Sequence, residues 1–217
     1  RYSEGFSPHQ LMSFAAPLSV GLTSNGEYVD IDVHSTGSSQ EMIRRINAVS
    51  VEGIQVLSYK KLPEKAANAM SLVAAADYTI QFRPGYEPAD EAAWFDGFAE
   101  FLKSPSILIT KKTKKGEKEL ELASLIYETK TCSCPVPEEK QKEKGAKTAP
   151  GIFLKVSAGS AANIKPELVL DAYYKSLGQE RAEFAFLIQR EDVYAAEYDE
   201  EGNVHFVSLD ELGEEIE

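Results

Sequence analysis

Between residues 73 and 190, segments whose apolar residues recur at every second position are interspersed with segments whose apolar residues recur at helical intervals. Few folds accommodate strands and helices in this order. Apolar and polar side chains alternate one by one through residues 73–82, as they do in a strand with one buried face. Asp90 can cap a helix, and the residues that follow it are apolar at helical intervals: Trp94, Phe95, Phe98, Phe101 and Leu102. The sequence therefore predicts a strand followed by a helix that buries an aromatic face.

Four more short apolar runs in this region are bounded by turn residues, and each predicts a strand: 107–111, 120–130, 151–157 and 184–189. A polar turn that contains glycine joins the first two, which is typical of a hairpin. Pro166 suits the first turn of a second helix, and Gly178 suits its end. The resulting order is close to the split β-α-β-β-α-β arrangement with one extra strand. We therefore predict an α+β protein whose larger part is a ferredoxin-like unit with an antiparallel sheet.

The residues before this region predict a smaller version of the same unit. Residues 27–33 alternate as a strand does, and Ser38 with Glu41 forms a capping box for a short helix over 40–48. A further strand is predicted at 54–59. With one more strand predicted from about Leu11, the order is strand, strand, helix, strand, which matches a second ferredoxin-like unit that lacks its opening strand and helix.

The predicted elements divide the chain into two units and a terminal segment. The first unit spans residues 1–65 and the second spans residues 70–198. Because the chain begins at Arg1 rather than Met, we expect its natural start, with the missing elements, to lie upstream. Residues 134–150 have too few apolar side chains to offset the entropy lost on ordering, so a mobile loop is predicted there. Residues 199–217 form an acidic C-terminal segment. The apolar runs at 193–198 and 204–207 each predict a strand, and the turn between them predicts that the two strands form a closing antiparallel ribbon.

The net charge of -12 does not exclude a nucleic-acid partner, because the acidity is concentrated at one end. Eleven carboxylates and no Lys or Arg lie after residue 190. Without them, 24 of the 35 acidic residues remain against 23 basic ones. The body of the protein is therefore nearly neutral, and we interpret the acidic end as a solvated surface or tail.

Cysteine, histidine and hydropathy patterns exclude several classes of protein. No run of 18 apolar residues is present, so no membrane span is predicted. Cys132 and Cys134 are the only cysteines, too few for a disulfide framework and poorly spaced to bridge each other, which favours a cytoplasmic protein. They also lack the second pair of a structural zinc site, and His34 and His205 have no ligand-like spacing. We therefore predict no metal site.

Three segments near the start of the chain have a distinctive pattern: Tyr2-Ser-Glu-Gly-Phe-Ser-Pro-His9, Met12-Ser-Phe-Ala-Ala-Pro-Leu18 with Val20-Gly21, and Gly26-Glu-Tyr-Val-Asp30. This pattern resembles the radical SAM-linked family, DUF2344. The resemblance extends more weakly through the lysine-rich hairpin and the segment before Pro166. It implies a bacterial protein that is encoded beside, or fused to, a radical SAM enzyme and has an accessory role in RNA modification or maturation.

This chain departs from the usual DUF2344 pattern at three positions, and its cysteine count distinguishes it from radical SAM enzymes. Gln10 and Leu11 stand where members usually carry Pro and a basic residue, and Lys165 stands where they carry Arg. If those cations contact phosphate, this member binds it more weakly. A radical SAM enzyme needs three cysteines to hold its iron–sulfur cluster, and two cannot supply them, so this chain is not the radical SAM enzyme itself and no cofactor is predicted. Whether it has a different catalytic activity of its own is left open by the sequence.

The candidate contacts with RNA or a partner are basic. His9 is suited to acid–base chemistry or phosphate contact, although a structural, hydrogen-bonded role is the alternative. The hairpin cluster either contacts RNA phosphates or serves solubility; it comprises Lys111, Lys112, Lys114, Lys115 and Lys118, with Lys140, Lys142, Lys144 and Lys147 nearby in the sequence. Arg1 and Lys165 complete the predicted contacts.

Three functions remain open from the sequence. The preferred one is a non-catalytic accessory or substrate-recognition module that works with a radical SAM enzyme on RNA. The second is an RNA-processing enzyme that uses His9, and the third is a structural protein-interaction domain.

Overall fold

The computed structural model describes residues 1–113, 116–136, 147–160 and 162–217. In this part of the chain the fold is mixed α+β, which confirms the predicted class. The helices are α1 (Ser39–Asn47), α2 (Ala69–Leu72), α3 (Glu91–Leu102) and α4 (Pro166–Ser176). The strands are β1 (Met12–Phe14), β2 (Thr23–Ser24), β3 (Val29–Ile31), β4 (Val73–Phe82), β5 (Leu108–Thr113), β6 (Gly116–Glu121), β7 (Ile126–Pro135), β8 (Thr148–Ser157), β9 (Phe186–Tyr198) and β10 (Val204–Ser208).

The chain forms two compact units that are not consecutive in sequence. Unit 1 contains Arg1–Pro17, Glu27–Val73 and Val193–Glu217. Unit 2 contains Leu18–Gly26 and Ala74–Asp192. Strand β9 therefore begins in unit 2 and ends in unit 1.

Unit 2 is a sheet with two helices on one face. Its strands follow the order β9-β4-β8-β7, and β2 pairs in parallel with β9. The ring of Phe82 in β4 contacts Trp94 and Phe95 of α3, and Phe98 packs 5.0 Å from Tyr173 of α4. Phe82, Phe95, Phe98 and Tyr173 are buried and Trp94 is half-buried, and together these side chains form the core between the sheet and the helices.

The sequence signals for these helices are confirmed. Asp90 caps α3 by accepting a hydrogen bond from the N–H of Ala93 at 2.9 Å. Pro166 is the first residue of α4, where its missing N–H costs nothing. Gly178 follows the end of α4 with a φ of +68°, a conformation that glycine adopts without steric cost.

Three of the strand predictions are wrong in detail. The predicted strand 120–130 is divided by a 3-10 turn, Ala123–Leu125, because Glu121 accepts hydrogen bonds from the N–H groups of Ile107 and Ala123. The predicted strands 184–189 and 193–198 are one continuous strand, β9. Its polar middle stays in the sheet because Asp77 accepts a hydrogen bond from the Asp192 N–H at 2.8 Å.

Unit 1 is built from short ribbons, helix α1 and the short helix α2. Strands β1 and β3 pair antiparallel, with Met12 opposite Ile31 and Phe14 opposite Val29. The end of β9 pairs with β10, as the predicted closing ribbon requires. Helix α1 begins after Ser38, whose side chain accepts a hydrogen bond from the N–H of Glu41.

The strand predicted at 54–59 is absent from unit 1, all of which the structure describes. The side chain of Asn47 binds both backbone groups of Val56, accepting from its N–H at 2.7 Å and donating to its carbonyl at 2.9 Å. The Asn47 side chain therefore satisfies the backbone groups of Val56 that a neighbouring strand would otherwise have bound.

The acidic segment 199–217 is folded into unit 1. Leu209 is buried, and Glu214 exchanges backbone hydrogen bonds with Lys61. The predicted loop 134–150 is shorter than expected, because Cys134 and Pro135 lie in β7 and residues 148–150 lie in β8. Its centre, 137–146, lies outside the described residues. Within the described ranges, no helix is both long and apolar enough to cross a membrane.

Candidate functional site

His9 closes a turn at the start of unit 1. Its Nδ1 lies 2.9 Å from Ser3 Oγ, and its backbone N–H donates to the same oxygen at 3.0 Å. The Ser3 N–H in turn donates to the His9 carbonyl at 2.8 Å. Gly5, at a φ of +121°, provides a conformation that few other residues adopt. Ser3 therefore orients the imidazole and leaves Nε2 facing solvent.

This arrangement suits His9 for binding better than for catalysis. The imidazole is exposed, and no carboxylate among the described residues contacts it. A general base needs an orienting partner and a nucleophile within hydrogen-bond distance of a substrate. Nε2 can still donate to, or accept from, a bound molecule.

Arg1 is engaged by a carboxylate of the same unit. Its Nη1 lies 3.0 Å from Asp32 Oδ2, and half of the side chain is exposed. The pair joins the start of the chain to the end of β3, so Arg1 presents a partly neutralised charge.

The β1–β3 ribbon has an exposed apolar face. Met12, Phe14 and Val29 are 50%, 49% and 40% exposed, and the register places them on one side of the ribbon. The opposite side is polar: Asp30 accepts a hydrogen bond from the N–H of Ala69, which begins α2, at 2.8 Å. The alternation of residues 27–33 predicted the strand, but its apolar side faces outward because Asp30 binds inward.

In unit 2, Lys165 lies beside Ser19, which directly follows the segment 12–18 of the resemblance. Its Nζ is 3.3 Å from Ser19 Oγ, although the two residues are far apart in sequence. Lys165 precedes the N-terminus of α4, where the helix dipole favours anions, but Glu167 in the first turn offsets that field.

The described part of the lysine-rich hairpin confirms its pairing. Strands β5 and β6 are antiparallel, with Lys111 opposite Lys118 and Lys112 opposite Glu117. The tip residues Lys114 and Lys115 lie outside the described residues, as do Lys140, Lys142 and Lys144.

Polar side chains lie on the face of the unit 2 sheet opposite the helices, together with the aromatic ring of Phe153. Lys130 of β7 places its Nζ 4.4 Å from the ring centre of Phe153 of β8, in a cation–π contact. The same Nζ lies 2.9 Å from Glu128, and this hydrogen bond raises the pKa of Lys130. Lys155 lies 3.7 Å from the buried Asp77. Sequence spacing did not reveal this cluster, because its members come from three strands.

The histidines considered as metal ligands remain apart. His205 Nε2 lies 3.3 Å from Asp199 in the turn between β9 and β10, and His34 is exposed. Among the described residues, no three metal-ligating side chains converge.

A family model described as an uncharacterised protein conserved in bacteria, DUF2344, matches residues 1–166. The chain belongs to this family. No curated protein and no solved structure matches it. The DUF2344 match includes the β1–β3 ribbon, His9 and the hairpin, and it ends where α4 begins. The family description assigns no activity.

Proposed function

We propose that this DUF2344 protein is a non-catalytic accessory or substrate-recognition module for a radical SAM enzyme that acts on RNA. The observation that carries the proposal is the exposed apolar face of the β1–β3 ribbon, formed by Met12, Phe14 and Val29. The choice of enzyme class rests on the sequence resemblance.

The ribbon has the properties of a protein-docking surface. A two-stranded ribbon is marginally stable alone, and exposed apolar patches commonly mark interaction sites. Met12, Phe14 and Val29 also belong to the segments that resemble the radical SAM-linked family. Because members of that family accompany radical SAM enzymes, we assign the face to such an enzyme.

The backbone of this face is held in place before any partner binds. Asp30 binds the start of α2, and Arg1 binds Asp32 next to β3. A fixed aromatic side chain such as Phe14 loses little conformational entropy on binding and is suited to anchor an interface.

The RNA part of the proposal concerns unit 2. With its four long strands numbered in chain order, the sheet order is 4-1-3-2 with both helices on one face, which supports the ferredoxin-like arrangement. Sheets of this kind bind unpaired RNA bases on the open face by aromatic stacking. Phe153 and Lys130 occupy that face here, and the hairpin lysines supply charge for phosphates.

Partner binding is tested by surface plasmon resonance with a radical SAM enzyme from the same organism. Phe14→Ser should weaken binding at least about tenfold, since it removes a central aromatic anchor. Val49→Ser is the matched control, because Val49 is 83% exposed in the same unit and lies outside the ribbon. No binding by the unaltered protein, or equal loss in both variants, would overturn the docking assignment.

RNA binding is tested separately, by fluorescence anisotropy in a series of salt concentrations. Charge reversal of Lys112, Lys114 and Lys115 should reduce the salt slope by about 0.7 for each lysine that contacts single-stranded RNA. Lys175→Glu, on the exposed side of α4, is the control. An unchanged slope would exclude the hairpin as the phosphate contact.

The oriented imidazole of His9 supports the enzyme hypothesis as a second candidate. If the protein processes RNA through His9, then His9→Ala abolishes turnover of an RNA substrate. RNA cleavage or modification that survives this substitution would eliminate the candidate.

A further inference from the structure

Two thiols converge at the end of β7. Cys132 and Cys134 lie two residues apart in a strand, so their side chains are on the same face. Their Sγ atoms are 3.6 Å apart. With metal–sulfur bonds of about 2.3 Å at a tetrahedral angle, two thiolates on one zinc ion lie about 3.8 Å apart.

The neighbouring strand leaves room for this arrangement. Gly151 of β8 is opposite Cys132, and a Cβ at this position would collide with the Sγ of Cys134 and lie 2.7 Å from the Ile80 carbonyl oxygen. Cys134 is 1% exposed, whereas Cys132 is half-buried. A cation can therefore reach the pair from the side of Cys132.

We propose that Cys132 and Cys134 together bind one thiophilic d10 cation, such as Zn²⁺, whose other positions are filled by water or by a second molecule. Thiolates favour such cations over Mg²⁺ or Ca²⁺. Among the described residues no third His, Cys, Asp or Glu joins the two thiols, so water or the second molecule completes the coordination.

Two close thiols could instead form a disulfide, but the extended backbone of β7 disfavours that bond. Two residues of extended chain separate their Cα atoms by about 6.6 Å, near the upper limit for a disulfide. The sulfur atoms would also have to move from 3.6 Å to bonding distance. Metal binding needs almost no movement.

Binding must release two protons. Burial raises the pKa of Cys134 to about 12, and it also raises the pKa of Cys132. Glu191 of β9 raises the Cys132 pKa further, whereas the Cys134 thiol and Lys130 oppose that rise. At neutral pH the cation therefore displaces one proton from each thiol and forms two metal–sulfur bonds. Affinity should increase about a hundredfold per pH unit while both thiols are protonated.

The test is titration of the reduced, full chain with Cd²⁺, followed by the ultraviolet charge-transfer absorption of cadmium thiolates. We expect one Cd²⁺ per chain, release of two protons and the hundredfold pH dependence. Cys132→Ser and Cys134→Ser should each weaken binding at least tenfold. Ser133→Ala is the control, because its side chain is on the other face of β7.

Circular dichroism of each variant separates loss of binding from loss of folding. Should Cys134→Ser fail to fold, the half-buried Cys132→Ser still decides the outcome. Absence of thiolate absorption, binding that survives both substitutions, or a tenfold pH dependence would overturn the site. The site would also be overturned if the reduced chain bound no Cd²⁺ while oxidised glutathione converted the two thiols to an internal disulfide.

Discussion

Units 1 and 2 are stabilised in different ways. Unit 2 buries large side chains between its sheet and two helices, among them Phe95, Phe98, Ile80, Leu154 and Leu170. Unit 1, which the structure describes throughout, buries mostly small ones: Ala15, Ala69, Val73, Val193, Ala195 and Leu209.

Unit 1 relies instead on polar contacts between distant parts of its chain. Ser39 binds both Tyr59 and Ile216, and Lys60 binds Asp210. Its larger apolar side chains, such as Phe14, are left exposed. We therefore expect unit 2 to be the more stable of the two, whereas unit 1 exposes the apolar surface on which the proposed docking rests.

The largest predicted effect is in the core of unit 2. Phe98→Ala should lower the free energy of unfolding by about 3–5 kcal/mol, because it leaves a cavity among packed rings. Phe98 is 0% exposed. Trp94, the only tryptophan, lies in the same core, so its fluorescence during denaturant unfolding reports this change. A loss below about 1 kcal/mol would contradict the assignment of a packed core.

A smaller loss is expected in unit 1 from Ser39→Ala. The Ser39 hydroxyl donates to the Tyr59 carbonyl at 2.6 Å and accepts from the Ile216 N–H at 2.8 Å. Removing it leaves two backbone groups unsatisfied next to a residue that is 3% exposed, which costs about 1–3 kcal/mol. Hydrogen exchange of the α1 amides measures this loss. An equal shift in the Trp94 transition would mean that the two units unfold together.

Unit 1 should also lose stability in acid. Burial opposes ionisation of Asp210, but hydrogen bonds from Lys60 and Ser58 and the charge of Lys60 hold its pKa below the ordinary value. This contribution is present above the unfolded pKa, about 3.9, and is lost as pH falls through the lower folded pKa. Because the pair is partly exposed, Asp210→Asn should cost less than about 1 kcal/mol at pH 7 and nothing below both pKa values.

Chemical denaturation over a pH series checks this prediction. Glu215→Gln is the control, since Glu215 is an exposed carboxylate of the same segment. If the two substitutions have the same pH profile, the Lys60–Asp210 pair does not stabilise unit 1.

The smallest effect on folding is expected at the docking face. Phe14→Ser should change the free energy of unfolding by no more than about 0.5 kcal/mol, because the side chain is 49% exposed. Thermal unfolding measures it. A loss comparable to that of Phe98→Ala would place Phe14 in a core and remove the basis for the docking surface.

Elements with strong local signals were predictable from the sequence. The Asp90 cap and Pro166 located α3 and α4, and the alternation in 73–82 located β4. The errors arose where a side chain competed with the backbone ladder, as Asn47 does at Val56, or kept a polar stretch in a strand, as Asp77 does at Asp192. Such partners lie up to 115 residues apart, beyond the reach of periodicity.

The candidate site also has parts that the sequence predicted and parts that only the structure showed. The sequence indicated His9 and the lysine-rich hairpin, but it predicted no site at the cysteines, and it did not reveal that Ser3 orients His9 or that Lys130 lies over Phe153. A contact between strands depends on register, which a single sequence leaves open.

By itself, the sequence determined the α+β class, the main helices and the DUF2344 family, because capping, periodicity and motifs are local properties of the chain. Only the tertiary structure decided which side of the β1–β3 ribbon is exposed and how closely the two thiols approach. Both depend on distant backbone: Asp30 turns inward to cap α2, and Gly151 leaves space beside Cys134.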